Sequence, residues 1–365
     1  MSKSKSKSKS KSKSKYKPKT QYKIKNWSEY NASLKQRGSL TFWLNQEVID
    51  QWLNQKKTGR KGASNTYSNV AIELMATLST LYSLAGRQTE GFLASIFSLM
   101  GVDLPVPDHT TLSRRLGKLN IDIPVMPAKE AIHLVVDSTG VKVYGEGEWK
   151  TRIHGVGKRR TWRKLHLGVN EATGEIVTAV VSTNNVSDDQ VFGQLLEVVE
   201  SEIAQVSGDG AYDKSKCYDL ASHRGAKPTI PPRKNAVIWH HGNCKDTPHP
   251  RDENLREIRR VGRKKWKRES GYHRRSLSET TMFRLKVIFG GKLRRRKFDN
   301  QATELFVQCA ILNRMIQNCQ PESYKVEFAL HQLTSSQKRN CDRNLHATKP
   351  IAYIKFFYTY SFTHI

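Results

Sequence analysis

Acidic residues are scarce. The 365-residue chain holds 33 Asp and Glu against 62 Lys and Arg, a formal net charge of +29 with a pI near 10.0. A chain this positive points to a polyanionic partner, most simply nucleic acid. Cysteine is also scarce: Cys217, Cys244, Cys309, Cys319 and Cys341 are scattered and odd in number. That argues against a disulfide framework and for a reducing compartment. No apolar run approaches the roughly 18 residues of a membrane span, so no transmembrane helix and no membrane partner are expected. The basic N-terminus has no apolar stretch of the secretory type. No Walker motif is present, and Gly145-Glu-Gly-Glu148 is not followed by a helix signal, so it reads as a turn and no nucleotide cofactor is expected. Apolar residues, at 37%, still suffice for a sizeable core spread over two or three domains.

The positive charge is unevenly placed. Residues 1–25 carry eleven lysines and no acid, beginning with a Ser-Lys repeat. Like charges at this density repel and nothing apolar offsets the entropy of ordering, so a disordered arm is expected. Residues 26–128 have helical periodicity. Leu74, Leu78 and Leu81 recur at i, i+4, i+7, as do Phe92, Ile96 and Leu99. Gly101 is placed to end the second helix and Asp108 to cap a third, through Leu119. That third helix displays Arg114 and Arg115. Two readings stand: a helix-turn-helix reader of DNA, or an all-helical packing domain.

Near Ala131 the pattern changes. Ile132–Val136 is a β-rich run ending on Asp137. Lys164–Val169 and Ile176–Ser182 follow as strands joined by a turn at Glu171–Gly174. Ser187 caps a predicted helix to Val199. Ile203–Val206 is a strand delivering Gly208-Asp209-Gly210, Lys214–His223 a helix, and Pro228–Ile230 a strand. A helix carrying Glu279 comes last. This order predicts an α/β, RNase H-like catalytic domain with a mixed five-stranded sheet over residues 129–318, preceded by the helical region. A basic segment, 232–270, is inserted before the last helix. Residues 319–365 diverge, ending in the aromatic run Tyr353–Phe362.

In such a sheet the first and fourth strands are central neighbours, so Asp137 and Asp209 converge. With Glu279 they offer hard carboxylate oxygens suited to Mg²⁺, with Mn²⁺ as a substitute, and two ions per site. Tyr272, Arg275, Glu279 and Lys286 follow the spacing Y-(2)-R-(3)-E-(6)-K. Taken as one α-helix, they share a stripe, with Leu277, Thr281, Leu285 and Ile288 opposite and available for packing. Glu279 is then a metal ligand flanked by cations able to hold DNA phosphates.

These motifs resemble the DDE transposases of bacterial insertion sequences, in the group with the Y-R-E-K signature. The resemblance spans about residues 22–318, through VVDSTGVKVYGEGEWK, WRKLHLGVN, SGDGAYD, IPPRKNA and YHRRSLSETTMFRLKVIFGG. It implies that Asp137, Asp209 and Glu279 are the catalytic triad, and that Tyr272, Arg275 and Lys286 act around the DNA strand end. It further implies binding of terminal inverted repeats and target DNA, cleavage at the element ends and joining of 3′ hydroxyls to target. A dimer or larger assembly in the bacterial cytoplasm, at the nucleoid, goes with it. The alternatives are an RNase H-like nuclease without strand transfer and an inactive or repurposed DNA-binding protein.

Other residues carry less specific signals. Lys158, Arg159, Arg160, Arg163 and Lys164 lie between the first two strands as candidate backbone contacts or as a solvated basic hairpin. Trp266, within Arg263-Lys-Lys-Trp-Lys-Arg268, is placed to stack on an extruded base, more so than Trp239; the other reading of either is a plain core or surface tryptophan. His240, His241, Cys244 and His249 match no common zinc spacing, and the Pro248 and Pro250 that flank His249 make it an irregular loop.

Overall fold

The computed structural model describes residues 21–55, 66–143, 161–239 and 248–326. The Ser-Lys repeat, Gly145–Glu148, Lys158–Arg160, His240, His241, Cys244 and the aromatic run of the tail lie outside the described residues. Strands follow in chain order: β1 Gln21–Ile24, β2 Ile132–Val143, β3 Trp162–Asn170, β4 Ile176–Thr183, β5 Ile203–Ser207, β6 Lys227–Thr229, β7 Lys292–Leu293 and β8 Ser323–Val326. The chain divides into two units, residues 28–320 and the flanking segments 1–27 with 321–365.

In the flanking unit, β1 and β8 form an antiparallel ribbon from Gln21↔Val326 to Ile24↔Ser323. The last residues of the expected disordered arm, 21–25, are therefore ordered. Backbone pairing supplies what their side chains do not, and Lys25 N–H continues it to Glu322 O at 2.7 Å.

The larger unit opens with helices α1 Trp27–Gln36, α2 Leu40–Trp43, α3 Gln46–Asp50, α4 Asn69–Leu81, α5 Gly86–Met100 and α6 His109–Arg115. Their ends are set locally. Ser68 Oγ accepts from Ala71 N–H at 3.1 Å to start α4. Gly101, at φ 66°, takes the left-handed conformation that ends α5. Asp108 Oδ1 accepts from the N–H of Thr110 and Thr111 at 2.7 and 2.8 Å, opening α6.

The remaining helices are α7 Asp188–Glu197, α8 Ser215–His223, α9 Pro250–Val261, α10 Arg263–Glu269, α11 Ser276–Phe289 and α12 Phe298–Asn318. Among the described residues no helix is long and apolar enough to cross a membrane.

The sheet has the order β4-β3-β2-β5-β6. β2–β3 and β3–β4 are antiparallel, whereas β2–β5 and β5–β6 are parallel. This is the mixed sheet expected of an RNase H-like domain. Two details differ from expectation. The two-residue β7 adds a sixth strand beside the end of β2. And β2 does not end on Asp137 but continues to Val143, because β3 pairs with it as far as Lys142↔Trp162 and Val141 and Val143 turn inward.

Two cores cover the faces. Leu134 and Val136 of β2 pack with Phe192, Leu195, Val206, Tyr212 and Tyr218. Residues of opposite parity, Val141, Leu165, Leu167 and Val169, join a larger core with Trp43, Met75, Leu93, Leu112, Leu305 and Leu312. The N-terminal helices thus share a core with the sheet and α12. Each fully buried Leu or Phe here contributes about 1.5–3 kcal/mol. Strand alternation places Asp137 on the face of this larger core.

Candidate active site

β2 and β5 are paired in parallel with Val135 opposite Ser207. Two residues further along each chain lie Asp137 and Asp209, so the acids leave neighbouring strands at the same level. Gly208 makes this possible by close packing: a Cβ there would stand 2.8 Å from Tyr212 Cδ2 and 3.2 Å from Val136 Cγ2. Asp209 then caps a 3₁₀ turn, Gly210–Tyr212, its Oδ1 accepting from Ala211 N–H at 2.8 Å.

The third acid arrives on α11. A 3₁₀ turn, Tyr272–Arg275, leads into it. The turn is tied to the sheet by Gln205, whose Nε2 donates to Ser270 O at 2.9 Å and Thr229 Oγ1 at 2.8 Å, and by an ion pair from Arg274 to Glu171. Arg275 Nη1 donates to Asp137 Oδ2 at 2.7 Å, and Nη2 donates to Glu279 Oε1 at 2.6 Å. Ser278, fully buried, donates its Oγ–H to Arg275 O at 2.8 Å and lies 3.3 Å from Asp137 Oδ2. Asp137 Oδ1 accepts from Ser138 N–H at 2.9 Å.

Burial pushes the Asp137 carboxyl upward. Ser138 N–H and Arg275 pull the other way, and the charge of Asp209 adds to the rise. Tyr272 is buried and its phenol pushed up for the same reason. Its ring carries Lys267 Nζ at 4.7 Å and the Arg275 guanidinium at 5.9 Å. Lys286 is exposed on α11.

Tyr272 through Lys286 is not one α-helix, and the packed stripe is rotated from the expected one. It runs through Ser278, Thr281, Met282, Leu285 and Phe289, while Ile288 is exposed. The 3₁₀ turn breaks the 100° step between Tyr272 and Glu279. Even so, Arg275 faces both acids.

Other sequence-selected residues fall elsewhere. Arg115 is committed to Tyr67 O at 2.5 Å and Asn69 Oδ1 at 2.7 Å. Arg114 is exposed and only touches Thr110 and Thr111 at 3.5 and 3.4 Å. Arg163 donates to Gln301 Oε1 at 2.7 Å, and Lys164 pairs with Asp188 at 2.8 Å. Trp266 is 4% exposed and packed with Ile258 and Tyr272, so its ring is not an open stacking surface. Trp239 is 39% exposed, 3.8 Å beneath the Arg251 guanidinium. Arg251 in turn donates to buried Asp213 at 2.7 Å, fastening the inserted helices α9 and α10 to the turn that follows Asp209. His249 caps α9 by accepting Arg251 N–H at 3.2 Å. Sequence reasoning missed Ser278 and Gln205, whose patterns carry no motif.

Among the described residues no group of three His, Cys, Asp or Glu side chains is gathered tightly enough to hold a metal ion. Asp137 and Glu279 share the Arg275 guanidinium, and Asp209 is near enough to Asp137 for its charge to raise that carboxyl. Carboxylate oxygens are the ligand type that hard cations take.

Two family models, each described as Transposase DDE domain, match the chain, one over residues 35–146 and one over residues 128–314. The second covers about half of the sequence and contains all three acids. Use of a divalent ion, typically Mg²⁺, goes with that family. The chain belongs to the DDE transposases of the RNase H-like superfamily.

Proposed function

We propose that this transposase binds the inverted repeats of its own element, cuts the DNA at the element ends and joins the freed 3′ hydroxyls to target DNA. One arrangement carries the reading: Asp137 and Asp209 each two residues beyond the last β2–β5 pair, Val135↔Ser207, with Glu279 held to Asp137 through Arg275. Asp137, Asp209 and Glu279 are assigned as ligands of two Mg²⁺ ions. When bound, the ions supply charge neutralisation of the phosphate and activation of the attacking oxygen.

The chain's own residues do the rest. Ser138 N–H fixes Asp137, with Ser278 beside it, and the parallel register aligns Asp209 with Asp137. Arg275, and Lys286 on the exposed side of α11, hold the scissile phosphate and its neighbour in the Y-R-E-K manner. When DNA enters, Arg275 exchanges a carboxylate for a phosphate oxygen, leaving the acids free for metal. Tyr272, pinned under Lys267, supports that arginine from below. Arg114, on an exposed face of α6, is assigned a DNA backbone contact, as are Lys158, Arg159 and Arg160. Two element ends require at least two protomers.

The test uses the full chain, Mg²⁺ and duplexes taken from the DNA that flanks the gene. Site-specific nicking followed by joining to a target plasmid is expected. Cutting without joining would reduce the reading to a nuclease, and neither reaction on bound DNA would overturn it.

A further inference from the structure

Away from the acids, a cavity of about 180 Å³ lies where the loop between α4 and α5 meets the end of α11 and the start of α12. Its polar lining is rich in donors. Thr80 and Ser83 supply hydroxyls, Ser79 already donating its own to Leu84 O at 3.0 Å, and Arg294 and Arg295 supply guanidinium groups. The one carboxylate, Glu304, is already engaged: it accepts backbone N–H from Arg294 at 3.1 and 3.2 Å and from Arg295 at 3.2 Å. Arg295 donates to Ser79 Oγ at 3.1 Å. Among the described residues neither Arg294 nor Arg295 is in an ion pair. Burial pushes Arg295 down and Glu304 up, and the charge of each offsets only part of the other's shift. An anionic ligand on Arg295 offsets more of its shift. Gly86, the first residue of the 15-residue α5, is also in the wall. The leading N–H groups of a helix have no acceptor within it and favour negative charge.

We propose that this cavity binds a phosphoryl group, held by Arg294, Arg295 and the neighbouring hydroxyls. The phosphate comes from a DNA backbone or from solution; the first source rests on the DNA-binding reading above. Tetrahedral oxygens match the forked guanidinium and the hydroxyls, and Arg294 lines the cavity from an exposed position. None of these residues belongs to the acid centre.

The experiment titrates the full chain with inorganic phosphate against sodium chloride of equal ionic strength, read by melting temperature and by ³¹P line width. Phosphate is expected to raise the melting temperature of wild type. Arg294→Gln, at an exposed position that leaves the core untouched, and Thr80→Val are each expected to weaken the apparent phosphate affinity by about tenfold, the loss of one charge-assisted or hydroxyl hydrogen bond. Arg295→Lys keeps the charge but loses the fork, and should fall between them and wild type. A duplex is then added. Release of bound phosphate assigns the site to the DNA backbone, and retention assigns it to free phosphate. Equal responses in wild type and Arg294→Gln, or no response in either, overturn the proposal. The phosphate arm contains no DNA, so its result is independent of whether the transposase reading stands.

Discussion

Arg275 joins Asp137 across 138 positions of sequence, its Nη1 2.7 Å from Asp137 Oδ2. The same guanidinium holds Glu279, so one cation neutralises an acid of β2 and an acid of α11. A guanidinium and a divalent ion compete for the same oxygens. Arg275→Gln should therefore bind Mn²⁺ more tightly, by up to about tenfold, since a neighbouring positive charge is removed. It should also cut DNA at least about 100-fold more slowly, because the phosphate loses its clamp. Calorimetry with Mn²⁺ beside a nicking assay reads both. Weaker Mn²⁺ binding in a folded variant would show that Arg275 supports the ion site instead of competing for it.

The acids themselves give the simplest prediction. Asp137→Asn, Asp209→Asn and Glu279→Gln change little volume and each removes one negative charge from the proposed metal site. Cleavage should fall by at least about 1,000-fold in each. Binding to a duplex should persist and should still weaken steeply with salt, since phosphate contacts made elsewhere on this +29 chain are untouched. Cutting at wild-type rate by any one of the three would remove that residue from the site.

Much of this was legible from local pattern, and what was not has a physical cause. Gly101 and Asp108 mark helix ends because αL geometry and N-capping are decided by one residue. The acids stood out because each follows or sits within a strand or helix signal. The extension of β2 through Ser-Thr-Gly-Val-Lys-Val is not visible in that run; it exists because β3 pairs there. The rotated face of α11 escaped for a similar reason. Ser278 lies off the expected packing stripe, yet it is buried beside Asp137, while Ile288 is left exposed. Nor does any window of sequence show that the N-terminal helices, readable as a separate unit, close over Val141 and Leu165 in one core.

Gly208 couples packing to the site. Its missing Cβ leaves room for the Tyr212 ring, which is fully buried against Phe192 at 5.5 Å. Gly208→Ala must move the ring or the strand end that carries Asp209. Overpacking of this kind costs about 1–3 kcal/mol. We expect a lowered melting temperature together with a loss of nicking larger than that of an equally destabilising substitution distant from the site, such as Leu195→Val in the core beneath α7. Equal losses would show that Gly208 serves stability alone.

Acid should unfold the protein through its buried histidines. His166 is fully buried between Ser182, 2.8 Å from Nε2, and Asp188, 3.5 Å from Nδ1. Burial pushes its pKa down to about 4, with Lys164 acting the same way and Asp188 against. His133, 2.7 Å from Ser207 Oγ, is likewise pushed to about 4 by burial and by Arg274. A histidine whose folded pKa is depressed contributes stability that is fully present above its unfolded value, near 6.5. That stability is lost as pH falls from there through the folded value, near 4. For His166 the loss is on the order of 3 kcal/mol over that window. Asp137 and Glu304, pushed upward by burial, act in the opposite sense: what they contribute is present in acid and lost as pH rises. The net curve therefore mixes the two, and the difference between wild type and His166→Gln isolates the imidazole. Glutamine keeps a partner for Ser182 but does not titrate. Urea unfolding at pH 7 and pH 4.5 should show the wild type losing more stability than the variant over that interval. Parallel losses would mean that His166 takes up its proton with the same pKa in the folded and the unfolded protein.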